Sequence, residues 1–306
     1  MLCSEPGFVP GGLRERLLAP LLRLAARCAV KPVLSPQVPI ARQRSRLRKV
    51  TRLLRPHAQV DVVAETMGGV AGEALRPRGQ QAKASILYLH GGAYCIGSAA
   101  GYRALTSHLA DASGMAVFAA DYRLAPEHAF PAAIEDALAA FSALREKGPV
   151  AIAGDSAGAG LALATALAAR QRNLAAPAAL VLFSPWVDLT LATTKDKASE
   201  AMLSTAWLTA CANHFLTGQD AALPLASPIF GDLAGLPPVL IQTSPGELLH
   251  EQALRLHDAL AKASVDVRCE TIAGRWHEFQ LFAGMLPSAA AALRRAADFV
   301  ARHATP

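Results

Sequence analysis

Apolar residues recur along the chain in two different registers. Between 11 and 30, Leu13, Leu17, Leu21 and Leu24 stand three and four apart, the spacing of one helix face, with Pro20 placed to interrupt it. Three prolines between Val30 and Pro39 read as a connector, and the Arg-rich stretch 40–55 predicts a second helix ending near Pro56. From about residue 58 the pattern changes. Short apolar runs at Val60–Ala64, Ile86–Leu89, Ala116–Ala120, Val150–Ala153, Leu180–Phe183, Val239–Gln242 and Val267–Ile272 predict strands. Helical stretches at 102–112, 131–147, 157–172, 248–263 and 288–302 follow most of them. That alternation predicts an α/β fold with a mostly parallel sheet and helices on both faces. Residues 189–218, rich in Thr and Ala, break the rhythm as a helical insertion.

Composition narrows the class. A chain of 306 residues, 52% hydrophobic and 18% charged, can bury a large core and is not disordered. No apolar run reaches 18 residues, and Pro20, Arg23 and Arg27 cut the stretch from Leu17 to Val30. Neither a membrane span nor a secretory signal is expected, so no stable membrane anchoring. The five cysteines are odd in number, dispersed and without a CxxC pair, which predicts no disulfide framework, no zinc site and a reducing, cytoplasmic setting. Much of the net charge of +6 sits between Arg42 and Arg55. With no interleaved aromatics and no nucleic-acid module, that segment reads as a solvated helix face, and no nucleic-acid partner is expected.

The chemistry lies in two glycine-bearing turns. Gly154-Asp155-Ser156-Ala157-Gly158 is a G-x-S-x-G run after the strand Val150–Ala153 and before the helix from 157. A sharp strand-to-helix turn would hold Ser156 in a strained conformation at a helix N-terminus, where the free N–H groups favour a developing anion. Many α/β folds carry such a turn without chemistry. The second run, His90-Gly91-Gly92-Ala93, directly follows the strand Ile86–Leu89. Adjacent glycines let backbone N–H groups approach a tetrahedral oxyanion, with one further donor from Ala157. Both runs at the ends of different strands, in this order, make coincidence a poor explanation.

With these motifs the chain resembles the hormone-sensitive-lipase-like branch of the α/β-hydrolases, which includes many bacterial esterases. The likeness rests on His90–Ser98 (HGGAYCIGS), Asp121–Ala133 (DYRLAPEHAFPAA), Gly154–Ala162 (GDSAGAGLA) and Trp276–Phe279 (WHEF), and spans about residues 60–300. It implies an α/β-hydrolase core with a helical cap. The family's HGGG reads HGGA here, and its donors would fall on Gly91 and Gly92, so Ala93 should be tolerated.

A serine nucleophile needs a base and an orienting acid. The fold's chain order of nucleophile, acid and histidine leaves His214, His250, His257, His277 and His303. His277 follows the last strand on a Gly-containing loop, where the family carries its catalytic histidine. The acid departs from the commoner family pattern, a DPLRDE-like run with aspartate. Here the loop reads Ser244-Pro245-Gly246-Glu247-Leu248-Leu249-His250-Glu251, without aspartate. Glu247 stands 30 positions before His277, about the family's distance, in a loop resembling the GxE-x-LL-x-D version of some relatives. Glu251 is the alternative acid, and a helix-capping role for Glu247 is the plain one. Asp155 could hydrogen-bond around the turn, although an exposed Asp at a helix start needs no special role. Asp121, Arg123, Glu127 and His128 read as bracing, Asp188 as a turn residue, and Cys95 has no task. Trp207 and the 11–30 helix could line a pocket.

The expectation is a serine carboxylesterase acting on short-acyl esters through an acyl-enzyme, with Ser156, Glu247 and His277 as triad and Gly91, Gly92 and Ala157 as oxyanion hole. Lactone, amide or carbamate hydrolysis on the same triad is the near alternative. A noncatalytic binder, like the family's plant hormone receptors that lack the histidine, is the far one. No cofactor or metal is implied, since HExxH, a Walker A run and a full G-x-G-x-x-G after the first strand are absent. The partner is a small-molecule ester, and the chain would act as monomer or homodimer. Residues 1–57 would form the N-terminal part of a cap and 58–306 the core, with a cap insertion at about 186–220.

Overall fold

The structure, a computed structural model, describes residues 12–80 and 83–304. Eight strands form one sheet: β1 (Val60–Met67), β2 (Val70–Pro77), β3 (Ser85–Leu89), β4 (Ala116–Ala120), β5 (Val150–Asp155), β6 (Leu180–Phe183), β7 (Val239–Thr243) and β8 (Val267–Thr271). Their order is β1-β2-β4-β3-β5-β6-β7-β8, antiparallel at the β1/β2 and β2/β4 pairings and parallel from β4 onward. This is the mostly parallel α/β sheet expected from the strand–helix alternation, and it is the α/β-hydrolase fold that the family resemblance implies.

Strand β2 was not among the expected runs, because Val70–Pro77 has neither alternation nor a pure apolar run. A local signal exists all the same. Gly68 and Gly69, both at positive φ (58° and 81°), make the two-residue turn that pairs Met67 with Val70. The central strands are buried along their whole length, as a sheet covered on both faces requires.

Helices α3 (Arg103–Ser113), α4 (Ala132–Arg145), α5 (Ala157–Gln171), α7 (His250–Lys262) and α8 (Pro287–His303) pack against the sheet. Helix α5 is buried from Ala157 to Ala169, and its small side chains let it lie close to the strands. The remaining helices, α1 (Gly12–Ala25), α2 (Ile40–Thr51) and α6 (Thr205–Leu216), lie outside this core. Helix α1 continues through Pro20 and ends in a π-turn over Ala26–Val30, so the expected break does not occur. The insertion is less helical than expected. Residues 190–204 are turns and irregular chain, and α6 is its one α-helix.

Polar bonds tie the N-terminal helices to the insertion. Arg23 and Arg27 donate to the carbonyls of Ser199 and Ala198, and Lys31 to that of Glu200. Buried Gln43 accepts from Trp207 Nε1 at 2.9 Å while donating to its own chain at Val38. Cys28, Cys95 and Cys211 are free thiols, but Cys269 on β8 is disulfide-bonded, correcting the expectation of an all-thiol chain. Cys3 lies outside the described residues.

Candidate active site

Strand β5 delivers Ser156 into a turn at φ 51°, ψ −120°, and α5 begins at the next residue. An L-residue adopts this conformation only where its surroundings hold it. Here Ser156 N–H donates to Phe183 O at 2.8 Å, while its carbonyl accepts from Trp186 N–H at 3.0 Å. Gly158 allows the turn to form: a Cβ there would collide with the carbonyls of Leu89 and His90 at the end of β3.

The loop after β3 runs through three successive positive φ values, Gly92 (112°), Ala93 (52°) and Tyr94 (61°). Ala93, where the family has glycine, fits the left-handed region without leaving it. His90 is structural in its contacts. Its ring stacks on Tyr122 at 4.4 Å and on Tyr102 at 5.6 Å, and Nδ1–H donates to Gly91 O. Burial lowers its pKa and keeps the ring neutral. Among the described residues, no protein acceptor takes the backbone N–H of Gly91, Gly92 or Ala157.

His277 stands in the loop after β8, and Glu247 in the turn between β7 and α7. His277 Nδ1 lies 3.2 Å from Glu247 Oε2, and both side chains are buried. Glu247 is held by its other oxygen, which accepts from Ser244 N–H at 3.0 Å and from the Thr243 hydroxyl. Burial alone would raise the Glu247 carboxyl, but the hydrogen bond from His277 and its charge leave it below the ordinary carboxylate range. The imidazole moves the opposite way. Burial disfavours its charge, yet the hydrogen bond to Glu247 and the nearby Glu278 carboxylate carry it well above the usual imidazole value. Glu251 lies on α7, 58% exposed and 3.7 Å from Lys197 Nζ, so Glu247 rather than Glu251 meets His277. Of the other histidines, His250 contacts Thr243, His257 lies beside Asp258, and His303 packs on Phe299.

Two acidic residues depart from the expectations. Asp155 is not exposed but fully buried, and Tyr88 OH donates to its Oδ1 at 2.5 Å. It belongs to β5 rather than to the helix start, which is why the exposed reading fails. Glu278, unremarked in the sequence, turns back at φ 56° and brings Oε1 to 3.5 Å from His277 Nε2. Burial and the neighbouring Glu278 carboxylate drive the Asp155 pKa well above its ordinary value. Asp155 Oδ2 has no hydrogen-bond partner among the described residues. The pair lies directly behind the glycine loop, because a Cβ on Gly91 would strike both.

Asp188 is a turn residue as expected, accepting from Thr190 N–H at 3.0 Å, and it also pairs with Arg255. Arg123 pairs with Asp136, Glu127 with Arg44, and Asp121 accepts from Ala99 N–H, all bracing contacts. Cys95 is buried, its thiol donating to Cys211 O.

Ser156, Gly92, His277 and Glu278 border one cavity of about 310 Å³. Its walls are mostly apolar, and the N-terminal helices and the insertion contribute Leu22, Val30, Leu47, Met202 and Trp207 to them. Gly91 and Ala157 do not line it. No group of three or more metal-ligating side chains exists among the described residues.

A family model described as alpha/beta hydrolase fold matches residues 86–281. An acetyl-hydrolase of Streptomyces hygroscopicus is 44% identical over 247 residues, covering 78% of this chain and 82% of that protein. An esterase of Acinetobacter venetianus is 36% identical over 261 residues, covering 83% and 86%. Among solved structures, an esterase/lipase from an uncultured bacterium superposes with TM-score 0.87 at 35% identity, covering 96% of this chain and 99% of that one. An esterase from the bacterial hormone-sensitive lipase family gives 0.87 at 31%, covering 97% and 100%. The chain belongs to the α/β-hydrolase family, on its hormone-sensitive-lipase-like branch. It is a carboxylic ester hydrolase.

Proposed function

We propose that the chain is a serine carboxylesterase working through an acyl-enzyme, with Ser156 as nucleophile, His277 as base and Glu247 as orienting acid. One observation carries this reading: Ser156, held at positive φ, borders the same cavity as His277, whose Nδ1 is paired with buried Glu247. Ser156 Oγ attacks the ester carbonyl carbon as Nε2 of His277 takes its proton. The N–H groups of Gly91, Gly92 and Ala157, free of protein acceptors, receive the oxyanion. The tetrahedral intermediate collapses, and the departing alkoxide takes the Nε2 proton. Water then attacks the acyl-enzyme, passing a proton to Nε2, and the acid leaves as Ser156 recovers its hydrogen. Glu247 keeps the Nδ1–H tautomer and balances the imidazolium throughout.

Residues 12–57 and the insertion at about 186–220 act together as the cap. The support is their mutual bonds, Gln43 to Trp207 above all, and their joint lining of the cavity. An apolar cavity of about 310 Å³ suits an acyl chain of moderate length better than a long fatty acid. The test is hydrolysis of p-nitrophenyl esters of increasing acyl length by the wild type and by Ser156→Ala. Turnover should peak within about C2 to C8 and vanish in the variant. A Ser156→Ala enzyme that keeps wild-type turnover would overturn the reading.

A further inference from the structure

The five most exposed large apolar side chains among the described residues all lie on the cap. They are Leu13 (75%), Leu17 (60%), Leu21 (61%) and Leu24 (57%) on α1, and Leu53 (78%) just after α2. Steps of four, four and three put the leucines of α1 on one face, opposite Glu15 and Ala19, which are buried. Helical spacing sets Arg14 on one flank of that stripe and Arg16 and Arg23 on the other. A contiguous exposed stripe of this kind marks an interaction surface rather than ordinary solvent-facing chain.

The charge around it is one-sided. Residues 12–55 contain twelve Lys and Arg against one acid, Glu15, while the whole chain is only +6, so the remainder is net negative. Glu15 is moreover buried in its pair with Arg275 and offsets nothing at the surface. Arg42, Arg46, Arg48, Lys49, Arg52 and Arg55 are all exposed on or just after α2. The cavity that holds Ser156 reaches this same surface, since exposed Ala25, Ala29, Arg48 and Leu53 are among its borders.

We propose that this cap face docks reversibly on an anionic lipid surface. The α1 leucines enter the acyl boundary, the arginines meet lipid phosphates, and the cavity opens toward the bilayer. The contact is peripheral, since no helix among the described residues is long and apolar enough to cross a membrane. Charge decides against the other occupants. Two copies of this face would bring like charges together, and nucleic acid would meet the arginines but leave the leucines in water. An anionic bilayer alone complements both features.

The experiment is co-sedimentation of the full chain with vesicles of phosphatidylcholine, or of equal phosphatidylcholine and phosphatidylglycerol, at low and high salt. The companion variant is Leu17→Ser/Leu21→Ser. Neither leucine borders the cavity, and unchanged hydrolysis of soluble p-nitrophenyl butyrate certifies its fold. Binding is read without turnover, so it stands apart from the assignment of Ser156. Expected are association with the anionic vesicles at least about tenfold above the neutral ones, release by salt, and at least about tenfold loss in the double variant. The proposal is overturned if wild type leaves the anionic vesicles unbound, or if the double variant binds them equally. It is overturned equally if light scattering shows a leucine-dependent dimer, or if duplex DNA binds more tightly than the vesicles irrespective of the leucines.

Discussion

Glu278 faces His277 from the side opposite Glu247, with Oε1 3.5 Å from Nε2 while Glu247 Oε2 is 3.2 Å from Nδ1. The imidazole therefore sits between two carboxylates, and its cation is favoured at both nitrogens. Behind Glu278, Asp155 is held neutral by burial and by the Glu278 charge itself. The arrangement favours the protonated form of the imidazole.

The pH profile follows. A base acts in its neutral form, and the raised pKa keeps His277 protonated until the pH passes above the ordinary imidazole value of about 6.5. The acid limb of kcat/KM should therefore lie above that value. Glu278→Gln removes one of the two carboxylates favouring the cation, so the limb should move to lower pH. A limb unmoved in Glu278→Gln, measured across the full profile, would show that this carboxylate does not act on the imidazole.

The acid is tested by a pair of variants. Glu247→Gln keeps the side-chain size and removes the charge, so kcat should fall by about two to four decades with KM little changed. Glu251→Gln, on an exposed side chain of α7, should stay within about twofold of wild type. The reverse ranking would redraw the triad through Glu251.

A buried ion pair ties α1 to the loop that carries His277. Glu15 on α1 is 2.8 Å from Arg275 Nη2 and also accepts from Ser288 N–H at 3.0 Å, all fully or nearly buried. Arg275 stands two residues before His277. Glu15→Gln leaves the guanidinium buried without its counter-charge, a loss of about 3 kcal/mol. Urea unfolding should show it as a lowered midpoint at unchanged slope, with reduced turnover under native conditions. Unchanged stability would mean that the pair contributes nothing net.

What could be read from the sequence divides along physical lines. Buried parallel strands declare themselves as short apolar runs, which made β3 to β8 visible, while β1 showed in Val60–Ala64 although it pairs antiparallel at the edge. Strand β2 pairs antiparallel on both sides near the sheet edge, and its mixed composition hides it, although Gly68-Gly69 marked the hairpin. Ser156, His277 and the glycine loop stood in motifs whose spacing has a steric cause. Asp155 and Glu278 lay inside two of those motifs, yet their burial was not legible, because burial of a charge depends on what packs over it and leaves no periodic trace. The same holds for Glu15 with Arg275, which are 260 positions apart. Pro20 misled in the other direction, since α1 accommodates it on an exposed face.

The central claim, Ser156 as nucleophile, is met most directly by covalent capture. The protein would be treated with diethyl p-nitrophenyl phosphate, which phosphorylates an activated serine with loss of p-nitrophenolate, and the adduct located by peptide mass mapping. The account predicts a single diethylphosphoryl group on Ser156, accumulating in proportion to lost esterase activity, and none on Ser156→Ala. An adduct on another residue that accounts for the inactivation, or Ser156→Ala enzyme still turning over at the wild-type rate, would contradict it.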